Sequence, residues 1–118
     1  MDMTVNNKIL KALKPFGMPI VPNHYSGTEK RYIEFDLYDD KGACFCDDYP
    51  EMDIVTIQVH LFLPMEENYL SLKKQIRNAL YEAGFSYADI TELTEPEATS
   101  QYPKGIRHLT FEADIDED

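Results

Sequence analysis

The sequence predicts a small two-layer α+β domain: a twisted, mainly antiparallel sheet of four to five strands with two helices packed on one face. Three observations carry that expectation. Two runs, "RYIEFDLYDD" and "DIVTIQVHLFLP", alternate apolar and polar residues with the period of a half-buried strand. A third, "MEENYLSLKKQIRNALYEAGF", repeats its apolar residues at helical spacing. The elements come in the order helix, weak strand, strand, strand, helix, strand, strand, and consecutive strands joined by short connections pair antiparallel. A length of 118 residues suits a single domain.

The first element, "NNKILKALKPFG", places Ile9, Leu10, Leu13 and Phe16 on one helical face and lysines on the other. Asn6 or Asn7 is placed to cap it, and Pro15 with Gly17 ends it. "MPIVPNHYSG" holds two prolines and a glycine, so it is at most an edge strand leading into a turn at Tyr25–Gly27. In the next run Ile33, Phe35 and Leu37 point to the core, while Tyr32, Glu34, Asp36 and Tyr38 point away. "DDKG" then signals a turn.

In the longer run Val55, Ile57, Val59, Leu61 and Leu63 form the buried row. Thr56, Gln58, His60 and Phe62 form the opposite one. The second helix buries Tyr69, Leu72, Ile76, Ala79, Leu80 and Ala83, with Glu66 and Glu67 at its positive N-terminal end. Gly84 stops it, and Phe85 folds back onto the last turn. "SYADITELTEP" is a strand and "EATSQYPKG" a loop. "IRHLTFEADI" is a strand with Leu109, Phe111 and Ala113 inward, and 114–118 form a frayed acidic tail.

Lysine and arginine number 11 against 22 acids, a formal charge of −11. A surface this acidic repels phosphate backbones, which sets nucleic-acid binding aside. Lys8, Lys11, Lys14, Lys73, Lys74 and Arg77 fall in the two helical segments, while the acids crowd into Glu34–Asp53 and the C-terminal tail. The simpler reading is a solvated acidic surface; the functional one is a polarised subunit whose basic face meets an acidic face of a neighbour. With no long apolar run, no membrane span is expected, and two cysteines without a secretory leader suit a reducing cytosolic compartment.

The most chemically suggestive stretch is "ACFCDDYPEMD", Ala43 to Asp53. Cys44 and Cys46, two apart on an extended segment, point the same way and could touch one metal. A tetrahedral thiolate site needs further ligands, however, and there is no second cysteine pair. A disulfide between them would close a strained ring. Asp47, Asp48, Glu51 and Asp53 lack the calcium-loop spacing, and Pro50 interrupts them. They read as solvated carboxylates of a loop between two strands, open to a protein contact or to weak cation binding.

His60 and His108 each fall on the polar row of a strand. They could approach one another, but ordinary surface histidines are the plainer reading. His24 stands apart. No G-x-S-x-G and no glycine-rich phosphate loop occurs. The expectation is a non-enzymatic protein with no catalytic residues, no metal, no cofactor and no small-molecule substrate.

Taken together, the opening "ILKALKPFGMPIVP", Tyr-Ser-Gly leading into "YIEF", the aliphatic strand before a helix ending in Ala83, Gly84 and Phe85, and a last strand carrying His108 and then Phe111 form a pattern. Over roughly Ile9 to Ile115 it resembles the small tail-completion, or tail-terminator-like, proteins in the morphogenesis clusters of siphophages and prophages of low-GC Gram-positive bacteria. The resemblance implies a twisted antiparallel sheet with helices on one side. It also implies a role in virion assembly as a cap that closes the tail tube, often as a six-membered ring, and offers a surface to the head connector. The implied location is the host cytoplasm during assembly, and the virion tail when the phage is active. The "CFCDDYPEMD" loop departs from the family, which supplies no role for its cysteines.

A ring joins one patch to a different patch on the next copy. Candidate contact residues are acidic Asp47, Asp48 and Glu51, the aromatic anchors Tyr32 and Tyr38 beside Phe62, and basic Lys73, Lys74 and Arg77. Self-association and other tail or connector proteins are the expected partners. The alternative is a small acidic binding module, an immunity protein or nucleic-acid mimic that neutralises a basic partner. That reading demands negative charges spaced along one continuous face, and the basic helices weigh mildly against it.

Overall fold

The structure, a computed structural model, describes residues 4–46 and 49–117, with side chains for 4–42 and 53–116. Helix α1 spans Val5–Leu13. Its cap is Thr4, whose Oγ1 accepts from the Asn7 amide at 3.2 Å, two to three residues earlier than the asparagines suggested. A 3₁₀ turn, Lys14–Phe16, follows and ends at Gly17 with φ 71°, a left-handed value that favours glycine.

Five strands form one sheet in the order β1-β2-β3-β5-β4. β1 (Ile20–Pro22) pairs parallel with β2 (Tyr32–Cys46), Ile20 to Ile33 and Pro22 to Phe35. These two are consecutive yet parallel, because Asn23–Arg31 returns the chain to the start of the sheet. Asn23, at φ 67°, redirects the backbone and donates its amide to the Phe35 carbonyl at 2.9 Å.

β2 and β3 (Tyr49–Pro64) run antiparallel from Tyr32↔Phe62 to Cys46↔Tyr49. The expected "DDKG" turn is absent: Asp39, Asp40, Lys41 and Gly42 pair with Thr56, Val55, Ile54 and Asp53. A bulge between Leu37 and Asp39 gives β2 one extra residue, Tyr38, and lets the ladder continue. The predicted acidic loop is therefore strand on both sides; Asp47 and Asp48 lie outside the described residues.

β5 (Ile106–Glu117) pairs with β3 from Pro64↔Ile106 to Asp53↔Glu117, so the expected frayed tail is strand as far as Glu117. β4 (Asp89–Glu95) pairs antiparallel with the outer side of β5. Helix α2, Leu70–Glu82, starts after Glu66 and Glu67, which sit in the preceding turn and leave the first helical turn without acids. Gly84 at φ 106° ends it, and the Phe85 amide bonds back to the Leu80 carbonyl at 3.2 Å.

Both helices lie on one face of the sheet. Ile9, Leu13, Ile76 and Leu80 pack onto the row Ile33, Phe35, Ile57, Val59, Leu61, Leu109 and Phe111, all essentially inaccessible to solvent. Each such side chain contributes about 1.5–3 kcal/mol by burial, which makes this row the main source of stability. Leu37 and Leu10 depart from expectation, at 51% and 37% exposed. Leu37 has the inward parity, but it sits at the outer edge of β2 beyond the end of β1, where the helix layer leaves it uncovered.

The long β2–β3 ribbon gives the molecule extents of 57 × 26 × 26 Å and a radius of gyration of 16.0 Å. A compact chain of this length would have a radius of about 13.5 Å. Among the described residues, no helix is long and apolar enough to cross a membrane.

Candidate functional site: the uncovered sheet face

With the helices on one side, the residues of opposite parity form an uncovered face. Its upper half is a row of stacked rings. Tyr25, from the β1–β2 connection, lies 4.6 Å from Tyr32 between centroids. Tyr32 lies 4.8 Å from Phe62, and Phe62 lies 4.2 Å from His108. The planes meet at 28°, 17° and 19°, so the inner rings cover one another's faces and turn their edges outward. A base-stacking platform would instead offer ring faces to the ligand. The row acts as a stiff cross-strand rib.

The loop that brings Tyr25 here is built around its ring. The Tyr25 amide donates to Glu34 Oε2 at 2.8 Å, and the Tyr25 hydroxyl accepts from the Glu29 amide at 3.0 Å. His24 Nδ1 stands 3.4 Å from the same Glu34 oxygen. A Cβ on Gly27 would collide with the Tyr25 ring, so the glycine of Tyr-Ser-Gly makes room for its own neighbour. The second loop, 96–105, braces the first: buried Tyr102 donates its hydroxyl to the Lys30 carbonyl at 2.9 Å. Burial, then Tyr102, Glu34 and Tyr25, push the Tyr32 phenol up to about 12.

Beside the rib, β3 and β5 bring His60 and His108 together. His60 Nδ1 lies 2.9 Å from His108 Nε2 and 3.1 Å from Thr110 Oγ1, and that hydroxyl lies 3.3 Å from His108 Nε2. His60 Nε2 stands 3.8 Å from Asp36 Oδ2. Burial, and then His60, push the His108 pKa down, while Glu34 and Glu95 act the other way. A hydrogen bond between two imidazoles needs a lone pair on one of them, so the pair holds at least one neutral ring. Among the described residues, no group of three or more His, Cys, Asp or Glu stands together as a metal would require.

The lower half of the face is acidic. Thr56 Oγ1 donates to Asp114 Oδ1 at 2.6 Å, and Gln58 Nε2 to Glu112 Oε1 at 3.0 Å. Register puts Glu34, Asp36, Glu112, Asp114, Asp89 and Glu95 on this side. Among the described strand residues, Lys41 is the one lysine or arginine that register adds there.

The residues predicted to make contacts do not converge on one site. Tyr32 joins Phe62 on the uncovered face. Tyr38 is on the bulge at the β2 edge, 63% exposed. Lys73 is already occupied: its Nζ sits 2.7 Å from Glu92 Oε1, and Tyr69 donates to the other oxygen at 3.0 Å. Those hydrogen bonds, Lys73 first, hold the Glu92 carboxyl below its usual range. Arg77 stacks over Tyr87 at 3.9 Å, while Lys74 is exposed. Asp47 and Asp48 lie outside the described residues, as do the side chains of Glu51, Cys44 and Cys46.

The sequence reading missed Tyr25 as a member of the face and Glu34 as the anchor of its loop. The polar parity of His60 and His108 was the available signal for their pairing. Compared with known proteins, the chain matches no family model and no curated protein.

Proposed function

We propose that this protein is a non-enzymatic assembly subunit of a phage or prophage virion. It would act as a tail-completion or tail-terminator-like cap that self-associates into a ring, closes the tail tube and meets the head connector. The observation that supports this reading is the architecture itself: a twisted, unclosed sheet with both helices on one side, the arrangement that the resemblance implies. That arrangement leaves a sheet face ribbed by Tyr25, Tyr32 and Phe62 without a covering layer of its own. An uncovered face with aromatic anchors suits contact with other subunits. Work would be done in the host cytoplasm during assembly and in the virion tail afterwards. The flanking genes test it: head-completion, major tail and tape-measure genes are expected beside this one, and a neighbourhood without them removes most of the support.

One observation favours a second reading. Asp36, Glu112 and Asp89 fall in one cross-strand row of the uncovered face with Asp114 beside it, a clustering of negative charge that suits a small module neutralising a basic partner. Such a module would capture a basic nuclease or DNA-binding protein in a salt-sensitive manner, and Asp36→Lys/Glu112→Lys would release it. Failure to retain any such partner at low salt argues against this reading.

A further inference from the structure

Two further patches, one between the helices and one at a strand edge, match each other. The first is an open groove of about 570 Å³ between α1, the 3₁₀ turn and α2. Ala12, Phe16 and Ala79 line its floor; Lys8, Lys11 and Glu82 supply its charges. Val5–Phe16 carries three lysines and no acid in a chain of net charge −11, so this is a basic island.

The second patch is the outer edge of β2. β1 pairs with it only as far as Phe35, so among the described residues no strand covers that edge from Asp36 onward. Leu37 and Tyr38 stand there 51% and 63% exposed, followed by exposed Asp39, Asp40 and Lys41. Two acids on a bare strand edge discourage indiscriminate pairing and suit a cationic counterpart.

We propose that the groove receives the Leu37–Lys41 corner of a second copy of this chain. The strand edge enters edge-on: Leu37 and Tyr38 cover the apolar floor, Asp40 on the helix-side face and Asp39 on the opposite face flank it where Lys8 and Lys11 stand, and Lys41 meets Glu82. The composition matches term for term: an apolar pair with two acids and a base, against an apolar floor with two bases and an acid. The contact joins different patches on the two copies, so repetition closes a ring or extends a filament. This inference rests on the reading of the chain as an assembly subunit and names the surfaces through which copies meet.

The test is a charge swap read by analytical ultracentrifugation of the full chain. Asp39→Lys/Asp40→Lys makes both patches basic, and Lys8→Glu/Lys11→Glu makes both acidic. Each variant alone is expected to self-associate about tenfold or more weakly than wild type, because like charges then face each other across the contact. The equimolar mixture is expected to recover wild-type association, with both patches again complementary. Tyr38→Ser, with the charges intact, weakens association as well. Circular dichroism checks that each surface variant keeps its fold.

The proposal is overturned if the mixture associates no better than either variant, if the variants associate like wild type, or if wild type stays monomeric at millimolar concentration. A chain that passes this test but never binds tail tubes keeps the contact and loses the tail reading. A chain that caps tubes while the mixed variants fail to pair does the opposite.

Discussion

His60 and His108, 48 residues apart in sequence, meet across the β3–β5 seam with ring nitrogens 2.9 Å apart. Asp36 and Glu34 on β2, Thr110 on β5 and Glu95 on β4 are the polar neighbours that bear on the pair. Burial and His60 together favour the neutral His108 ring, so its pKa in the folded chain lies below its ordinary value of 6.5. The unfolded chain therefore binds this proton first as pH falls. The stability that neutral His108 contributes is fully present above about pH 6.5 and is lost as pH falls through the lowered value. Histidine resonances followed by NMR are expected to show His108 titrating below its ordinary value of 6.5, and His108→Gln flattens the acid limb of the stability curve. A His108 that titrates at or above 6.5 contradicts this account.

Tyr32 carries the opposite shift. Its phenol stays protonated until about pH 12, held first by burial. Burial also raises the Tyr102 phenol, so an ultraviolet titration is expected to show two tyrosines ionising late, and Tyr32→Phe removes one of those late equivalents. Because the folded pKa lies above the unfolded one, the folded chain loses stability between about pH 10 and 12 as the unfolded phenol ionises first.

Gly27→Ala tests the seat of Tyr25. The added methyl collides with the Tyr25 ring, which must leave the stack or push the loop away from Glu34. A loss of about 1–3 kcal/mol in chemical denaturation is expected, the scale of an overpacked site. In a Tyr25→Ala background the same change costs less, because the group it would strike is gone.

Neighbouring basic residues on α2 separate by what they touch. Lys73→Met removes the pair with Glu92 and is expected to cost under about 1 kcal/mol, as partly exposed pairs do. Arg77→Ala removes the cation over Tyr87 and costs about 0.5–1 kcal/mol. Lys74→Met, on an exposed position, leaves stability unchanged. Thermal melts of the three variants check the order.

Much of the fold was legible because burial imposes a period. The alternation at Ile33–Phe35 and Val55–Leu63 and the helical spacing at Ile76–Leu80 predicted the core and its two layers. Local turn chemistry misled where tertiary pairing outweighed it. "DDKG" reads as a reversal, yet one bulge at Tyr38 absorbs the irregularity and β3 supplies partners for all four residues. Parity assigned Leu37 to the core, but parity does not say where the helix layer ends. The tail looked frayed by composition, although the length of β3 offered it a ladder. The site was less legible, because the histidine pair depends on a β3–β5 register and the Tyr25 seat on a loop folding over its own glycine.

The central claim, an assembly subunit that caps a tube, is tested most directly on tubes polymerised from the major tail protein whose gene is expected beside this one. The purified chain is added, and the tubes are measured by negative-stain electron microscopy. The account predicts density at one end of each tube and an end to further lengthening. Tubes that keep growing with bare ends, in the presence of folded protein, would contradict it.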